Sequence, residues 1–326
     1  MTIAIAMSRP GTPEVLLPIR VKVQDPGPGE VRICQSTIGV NFVDIYHRTG
    51  LYPHEGLPAV LGFEGAGTVE SVGLGVVSLK VGDRVAYHGM PMGAYAEARV
   101  LPESRLIKLP DGLSEHVMGG TMLRGLTAHM LLHSVRVVQP GDWILVHAAG
   151  GGLGQLVTRW AKRIGAGVIG TVGSESKRAQ AEAAGADAVF LHGQADWVAR
   201  ARAVADGVGV HLAIDGIGGA MLTRTLDAVR PFGMVASIGQ PAGPIPPVRV
   251  EDLGGSRALA LMRPSVIAYA NDPDCYRRGC SDLLAALQSG LTNPIGAAYP
   301  LRDAGQAHAD LEAGRTTGSV ILTVSA

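Results

Sequence analysis

The chain has 326 residues, 47% of them hydrophobic and 17% charged, and a formal net charge of zero. That length suggests about two domains with sizeable buried cores, and the composition excludes a disordered chain and argues against a nucleic acid as the primary partner. Cys34, Cys275 and Cys280 are too few for a disulfide framework. The N-terminus has no secretory pattern and no apolar run approaches the ~20 residues of a membrane helix, so a cytoplasmic protein with no membrane association is expected.

In chain order, the first third is rich in Gly, Pro and Val. Short apolar runs (Glu30 to Cys34, Ala66 to Val72, Asp83 to Tyr87, Tyr95 to Val100) are separated by turn signals such as Pro26 to Glu30 and Val81 to Arg84. They predict a small β-rich domain, a barrel. Ser114 with Glu115 marks a helix start, and helix resumes through Leu126 to Val135 after a break at Gly119-Gly120.

Strands and helices then alternate. Strands are expected at Trp143 to Ala148, Gly167 to Val172, Ala188 to Leu191, Val210 to Asp215 and Met234 to Gly239. Helices are expected at Leu153 to Ile164, Ser176 to Ala184, Asp196 to Ala205 and Ala220 to Val229. Such βαβ repetition predicts an α/β fold with a Rossmann doubly wound parallel sheet. A strand near Leu259 to Met262, a helix Pro273 to Ser289 and a strand Ser319 to Val324 follow, the last segments returning to complete the first domain. The boundaries expected are 1–121, 122–262 and 263–326.

The stretch His147 to Gly154, HAAGGGLG, joins a strand to a helix, the context in which a glycine-rich turn cradles a dinucleotide. Gly151 and Gly154 fit the second and third glycines of G-x-G-x-x-G, the second for approach to a pyrophosphate and the third for helix–strand packing. Ala149 replaces the first. Gly150, Gly152 and Leu153 complete the turn, and the helix start offers free N–H groups and partial positive charge to a phosphate.

At the end of the second strand, where an NAD site places a carboxylate, stand Gly173 and Ser174, with Lys177 and Arg178 just beyond. Small residues leave room for a 2′-phosphate, and Ser174, Lys177 and Arg178 supply donors, which favours NADPH. Two alternatives stay open: Glu175 as the carboxylate of an NAD site, and Lys177 and Arg178 as solvated helix residues.

Together these features resemble the quinone oxidoreductases, the ζ-crystallin-like, zinc-free branch of the medium-chain dehydrogenase/reductases. The resemblance is carried by Gly39 to Asp44, Arg48 to Pro53, Leu61 to Gly67, Val81 to Val85, the glycine turn, Arg263-Pro264-Ser265, Tyr299 to Leu301 and Thr316 to Gly318. It implies a GroES-like β-barrel catalytic domain beside the Rossmann domain, with the cofactor in the cleft between them and a homodimeric assembly. It implies NADPH-dependent reduction of a quinone or enone, with Asn41, Tyr46 and Tyr52 around the substrate. Thr127 would lie on the nicotinamide side, and Gly239 and Arg263 would join the cofactor site.

The zinc relatives carry a cysteine near Asn41 and Gly-His-Glu where this chain has Gly62-Phe63-Glu64, so two expected ligands are missing. A metal-free reductase is expected, and no H-x-x-x-H or similar cluster is expected among the ten histidines. An amide and two phenols can donate to the oxyanion that hydride transfer leaves, while solvent supplies the proton, an untuned phenol being a weak acid. Tyr46 and Tyr52 as space-fillers beneath a loop, and Thr127 as a helix residue bonding its own backbone, are the bland alternatives.

The chain departs from the family at Gly314 to Ser319, which holds Arg315 where a lysine or other basic groups are common, and at His192, where a tyrosine is frequent. His192 is read either as a contact to adenine or phosphate or as a loop histidine with no ligand. Two further functions remain open: an enoyl-thioester reductase, and a non-enzymatic NADPH-binding protein of the kind that serves as a lens protein or binds RNA.

Overall fold

The structure is a computed structural model and describes residues 1–53 and 56–324. The chain divides into two compact units, Met1–Leu126 with Ile267–Ala326, and Thr127–Val266.

In the first unit the strands are β1 (Thr2–Met7), β2 (Leu17–Val21), β3 (Glu30–Val40), β4 (Ala59–Val60), β5 (Glu64–Val72), β6 (Arg84–His88), β7 (Ala98–Pro102) and β8 (Ile107–Lys108). They are interrupted by helix α1 (Phe42–Thr49) and followed by α2 (Glu115–Met118) and by α3 (Met122–Met130), which runs across the boundary at Leu126 into the second unit. Ser114 caps α2 by accepting from the N–H of Val117, the cap that its sequence signal predicts.

The helix expected to run to Val135 instead changes winding: Leu131–Val135 is π-helical. Helix α1 is not among the expected elements, although its signals are present. Asn41 stands at the N-cap, the Asp44 carboxylate takes its backbone N–H at 2.7 Å, and Gly50 closes the helix at φ 81°.

The second unit holds β9 (Trp143–His147), α4 (Gly152–Ile164), β10 (Gly167–Val172), α5 (Arg178–Ala183), β11 (Ala188–Leu191), α6 (Trp197–Val204), β12 (Val210–Asp215), α7 (Met221–Ala228), β13 (Val229–Ser237) and β14 (Ala260–Met262). All its strand pairs are parallel, in the order β11-β10-β9-β12-β13-β14. Numbered within the unit this is 3-2-1-4-5-6, the order of a Rossmann fold, whose switch point lies between β9 and β12. Strands covered on both faces read as continuous apolar runs, and Ile144, Leu145, Val168, Ile169, Leu212, Ala213, Val235 and Ala236 are all fully buried.

The boundary between α7 and β13 departs from expectation: Val229 already pairs with Val210, and the register shifts before Leu212 pairs with Met234. Pro231 rides in that irregular stretch, where its missing N–H leaves no regular ladder position unfilled.

The chain continues through α8 (Val266–Asn271), α9 (Pro273–Gln288), β15 (Ile295–Pro300), α10 (Ala304–Glu312) and β16 (Ser319–Thr323). Strands β15 and β16 return to the first unit's sheet, ordered β15-β16-β3-β5-β6-β8 with β7 also on β3; a second sheet runs β2-β1-β4. Ile5 and Met7 of the small sheet share one core with Ile33, Ile38, Val69, Val85 and Leu101 of the large one, joined by Leu301, Ala304 and Val320 of the returning segment. Elements α10 and β15 carry small residues in weak alternation, and the sequence reading assigned them no structure.

Candidate active site

In the second unit, β9 ends at His147, Ala148 takes a positive φ of 52°, and the chain turns through Ala149 and Gly150 into α4, with Gly151 at its N-cap. The turn is built by side chains that are absent. A Cβ on Gly154 would lie 2.4 Å from the Ala148 carbonyl oxygen and 2.7 Å from the Ala149 Cα, so only glycine lets α4 pack this closely on the turn. The Gln155 amide donates to the Gly150 carbonyl at 2.8 Å, while Gly151, Gly152 and Leu153 line the partly open rim. This arrangement fits a dinucleotide pyrophosphate: small residues at the turn and a helix start.

Behind the turn lies a hub that no sequence motif marks. The His147 ring is buried and bonds Thr171 Oγ1 through Nδ1 at 2.6 Å and Thr225 Oγ1 through Nε2 at 2.9 Å. Thr225 donates to Asp215 Oδ2 at 3.0 Å, and Asp215 Oδ1 accepts the N–H groups of Ile217 and Gly218 at 2.8 and 2.9 Å. Burial pushes the imidazole down to about 4, against the pull of Asp215, so the ring is neutral and can donate at one nitrogen while accepting at the other. One side chain thereby ties the carboxyl ends of β9, β10 and β12. The four residues lie far apart in sequence, and no local pattern signals them.

Around the end of β10, Gly173 and Ser174 are exposed, and the Ser174 and Ser176 hydroxyls are 2.9 Å apart. A Cβ on Gly173 would meet the His192 ring at 3.3 Å. Nδ1 of His192 is buried with no hydrogen-bond partner, and burial, reinforced by Arg224, lowers its basicity.

Lys177 is half-buried against the turn, with its Cβ 3.1 Å from where a Gly150 Cβ would stand. Burial lowers its pKa. Arg178 differs from Lys177: it bonds both carboxylate oxygens of Glu175 and the Val189 carbonyl. Glu175, the carboxylate that an NAD site would require, is engaged in that ion pair. Arg263 bonds Ser237 Oγ at 3.1 Å and Gln240 Oε1 at 3.2 Å, flanking Gly239 just after β13. Thr127, in α3, is buried.

In the first unit, Asn41 is buried at the start of α1 and donates from Nδ2 to Glu64 Oε1 at 2.7 Å. Tyr46, on α1, packs its ring 5.1 Å from that of Tyr52, and Tyr52 lies 5.8 Å from the His47 ring. Phe42 and Phe63 extend this aromatic group through Tyr46 and His47. The Asp44 carboxylate also accepts from Tyr95 at 3.1 Å, and the Tyr95 hydroxyl meets His308 Nε2 at 2.8 Å. Full burial pushes Asp44 up to about 7, against the pull of the Asn41 N–H and Tyr95, and pushes His308 down to about 3.

The view of the histidines as unclustered needs correction. His129 and His133 stand four residues apart, their rings 4.8 Å from each other and 5.9 and 5.6 Å from Trp160. They form an aromatic stack, and among the described residues no three His, Cys, Asp or Glu side chains are arranged to hold a metal ion. No helix among the described residues is long and apolar enough to cross a membrane.

Residues 27–111 match the alcohol dehydrogenase GroES-like domain family, and residues 152–271 match the zinc-binding dehydrogenase family. A 2-haloacrylate reductase of a Burkholderia species is 39% identical over 99% of both chains. A quinone oxidoreductase of Pseudomonas aeruginosa is 39% identical over 96% of each. The structure of the Escherichia coli quinone oxidoreductase complexed with NADPH superposes with a TM-score of 0.94 at 34% identity, covering 98% of this chain and 99% of that one.

Proposed function

The chain belongs to the quinone oxidoreductase family of the medium-chain dehydrogenase/reductases, and we propose that it reduces quinones or α,β-unsaturated carbonyl compounds with NADPH, without a metal. Its fold is the α/β pairing of that superfamily, a GroES-like domain with a Rossmann-like parallel sheet. The first unit carries the acceptor chemistry and the second binds the cofactor.

The observation that carries the reading is the Gly150–Gly154 turn at the switch point of a 3-2-1-4-5-6 sheet, packed so closely at Gly154 that a Cβ has no room. Bound NADPH supplies a hydride. Gly150, Gly151, Gly152, Leu153 and the α4 N-terminus hold the pyrophosphate, with Ala149 shaping the turn. Lys177 and the exposed Ser174 bind the 2′-phosphate, while Gly173 leaves it space. The engagement of Glu175 by Arg178 supports this preference, because the carboxylate that would select a ribose 2′-hydroxyl is already neutralised. Arg178 acts mainly by holding Glu175. His192 contacts the adenosine end, Thr127 the nicotinamide, and Gly239 and Arg263 complete the site.

On the acceptor side, Asn41 donates a hydrogen bond to the oxyanion that hydride addition creates, and Tyr46 and Tyr52 orient a flat, conjugated acceptor. Donors held in a site shielded from water stabilise developing charge more than donors in solution. Solvent delivers the final proton. The 2-haloacrylate reductase among the relatives supports activated alkenes, alongside quinones, as acceptors.

The protein acts in the cytoplasm as a homodimer. The edge strand β14 supports that assembly, with Met262 exposed on it and Phe232 86% exposed on the neighbouring strand β13, where its N–H bonds the Ala258 carbonyl ahead of β14. An unpaired strand edge with apolar side chains is a ready pairing surface.

The test is turnover of a panel of quinones and enones, followed by loss of reduced-nicotinamide absorbance, with NADPH and with NADH. Turnover several-fold faster with NADPH is expected. Preference for NADH would overturn the Ser174 and Lys177 assignment, and tight NADPH binding with no turnover on any acceptor would overturn the reductase reading.

A further inference from the structure

Glu64 has no part in the function above, yet the first unit is arranged around its carboxylate. The side chain is fully buried on β5, and three donors converge on it. Asn41 Nδ2 reaches Oε1 at 2.7 Å, the Leu123 N–H reaches Oε2 at 2.7 Å, and Arg124 Nη1 lies 3.3 Å from Oε1. Arg124 is itself buried and fixed by the carbonyls of Gly120 at 3.0 Å and Val40 at 2.7 Å. A Cβ on Gly39 would stand 2.0 Å from Glu64 Oε1, so that glycine leaves room which the carboxylate fills.

Burying an ion pair costs more than packing apolar groups of the same volume, so a structural role alone does not explain this investment. Desolvation pushes Glu64 upward, and Arg124, Asn41 and the Leu123 N–H pull it back.

The geometry has a chemical consequence for Asn41. A carboxamide can occupy its place in two flips, with oxygen and nitrogen exchanged. An ionised carboxylate only accepts hydrogen bonds, so it tolerates one flip: Nδ2 facing Glu64. Asp44 fixes the same residue from the backbone side by accepting its N–H. We infer that Glu64, held by Arg124 and the Leu123 N–H, is a positioning residue that selects the flip of the Asn41 carboxamide: one Nδ2 hydrogen is committed to Glu64, and the second Nδ2 hydrogen is left as the donor to the acceptor oxyanion. The inference rests on the assignment of Asn41 to the acceptor site. In Glu64→Gln one carboxylate oxygen becomes an NH₂ group, which can donate to Asn41 Oδ1, so both flips are admitted while shape is kept.

The test is a double-mutant cycle of Asn41→Ala and Glu64→Gln, reading kcat, the KM of an enone, the NADPH dissociation constant and the melting temperature. Glu64→Gln is expected to lower kcat about tenfold in the wild-type background and less than twofold in the Asn41→Ala background, a coupling ordinary for residues in contact. NADPH affinity should stay within twofold. An equal loss in both backgrounds, or no loss in the wild-type background, overturns the inference while leaving the reductase reading intact. An Asn41→Ala enzyme with full kcat overturns the assignment of Asn41 and the inference with it. If Glu64→Gln does not fold, Glu64→Asn, whose amide also offers a donor, is used and judged by the same coupling criterion.

Discussion

The two units build their sites by opposite means. In the second, the turn from His147 to Gly154 is made of backbone, and what matters is the absence of side chains at Gly150, Gly151 and Gly154. In the first, the surroundings of Asn41 are made of buried charge: Glu64, Arg124 and Asp44, all less than a tenth exposed. A steric site should fail abruptly when atoms are added, whereas an electrostatic site should fail in proportion to the charge or hydrogen bond altered. Substitutions can therefore separate the two.

The broadest effect, on folding and cofactor binding together, is expected at Gly154. Gly154→Ala places a methyl 2.4 Å from the Ala148 oxygen, and overpacking of this kind costs about 1–3 kcal/mol. Calorimetry and a fluorescence titration should show lowered stability and NADPH affinity weakened by tenfold or more. Normal binding would mean that the turn is not steric in character.

Asn41→Ala should come next. Removing one oxyanion donor costs roughly 10²-fold in kcat, and steady-state kinetics should show that loss with NADPH affinity unchanged. A loss appearing in NADPH binding would break the proposed division of labour between the units.

Lys177→Ala should weaken NADPH about tenfold, the scale of one charge-assisted bond, and leave NADH affinity as it was. Arg178→Ala should act less on NADPH and instead release Glu175, narrowing the preference over NADH. Its ion pair with Glu175 is solvent-exposed, so stability should change little. Competitive binding of the two cofactors measures both variants.

A smaller, pH-dependent effect sharpens the contrast. Asp44 is pushed up to about 7 in the folded chain from a usual value of 3.8. The folded state then holds the extra proton, so this stabilising contribution is complete below about pH 4 and is lost as pH rises through about 7. His147 has the opposite sign. Its value falls from 6.5 to about 4, so its contribution is present above pH 6.5 and is lost as pH falls towards 4. The two act over nearly the same range with opposite slopes, so Asp44→Asn should make stability rise more steeply with pH between about 4 and 7, and His147→Gln should make it fall more steeply, in denaturant melts taken across the range.

Much of the second unit can be read from sequence, and the reason is physical. Buried parallel strands appear as apolar runs bounded by Gly and Pro, so β9, β10, β11 and β12 fall at or within a residue of their expected positions. The first unit yields less. Helix α1 is only eight residues long, and its start falls inside the Gly39–Asp44 motif, so its capping signal overlaps that motif. The partners of Asn41 are illegible for a different reason. Glu64 and Arg124 are 60 positions apart and Tyr95 and His308 are 213 apart, and contacts closed by tertiary folding leave no periodic trace. Arg178 shows the reverse case: its local sequence suggested a phosphate ligand, while the structure gives its guanidinium to Glu175 and Val189.

The most direct test of the account follows the hydride itself. NADPH deuterated at one or the other face of the nicotinamide C4 would be used to reduce a simple enone, a substrate whose product keeps a transferred deuterium on carbon. The account predicts that one of the two labelled forms delivers its deuterium to the β-carbon of the product and the other delivers none. Label absent from the product carbon in both experiments, or lost to water, would contradict hydride transfer at this site.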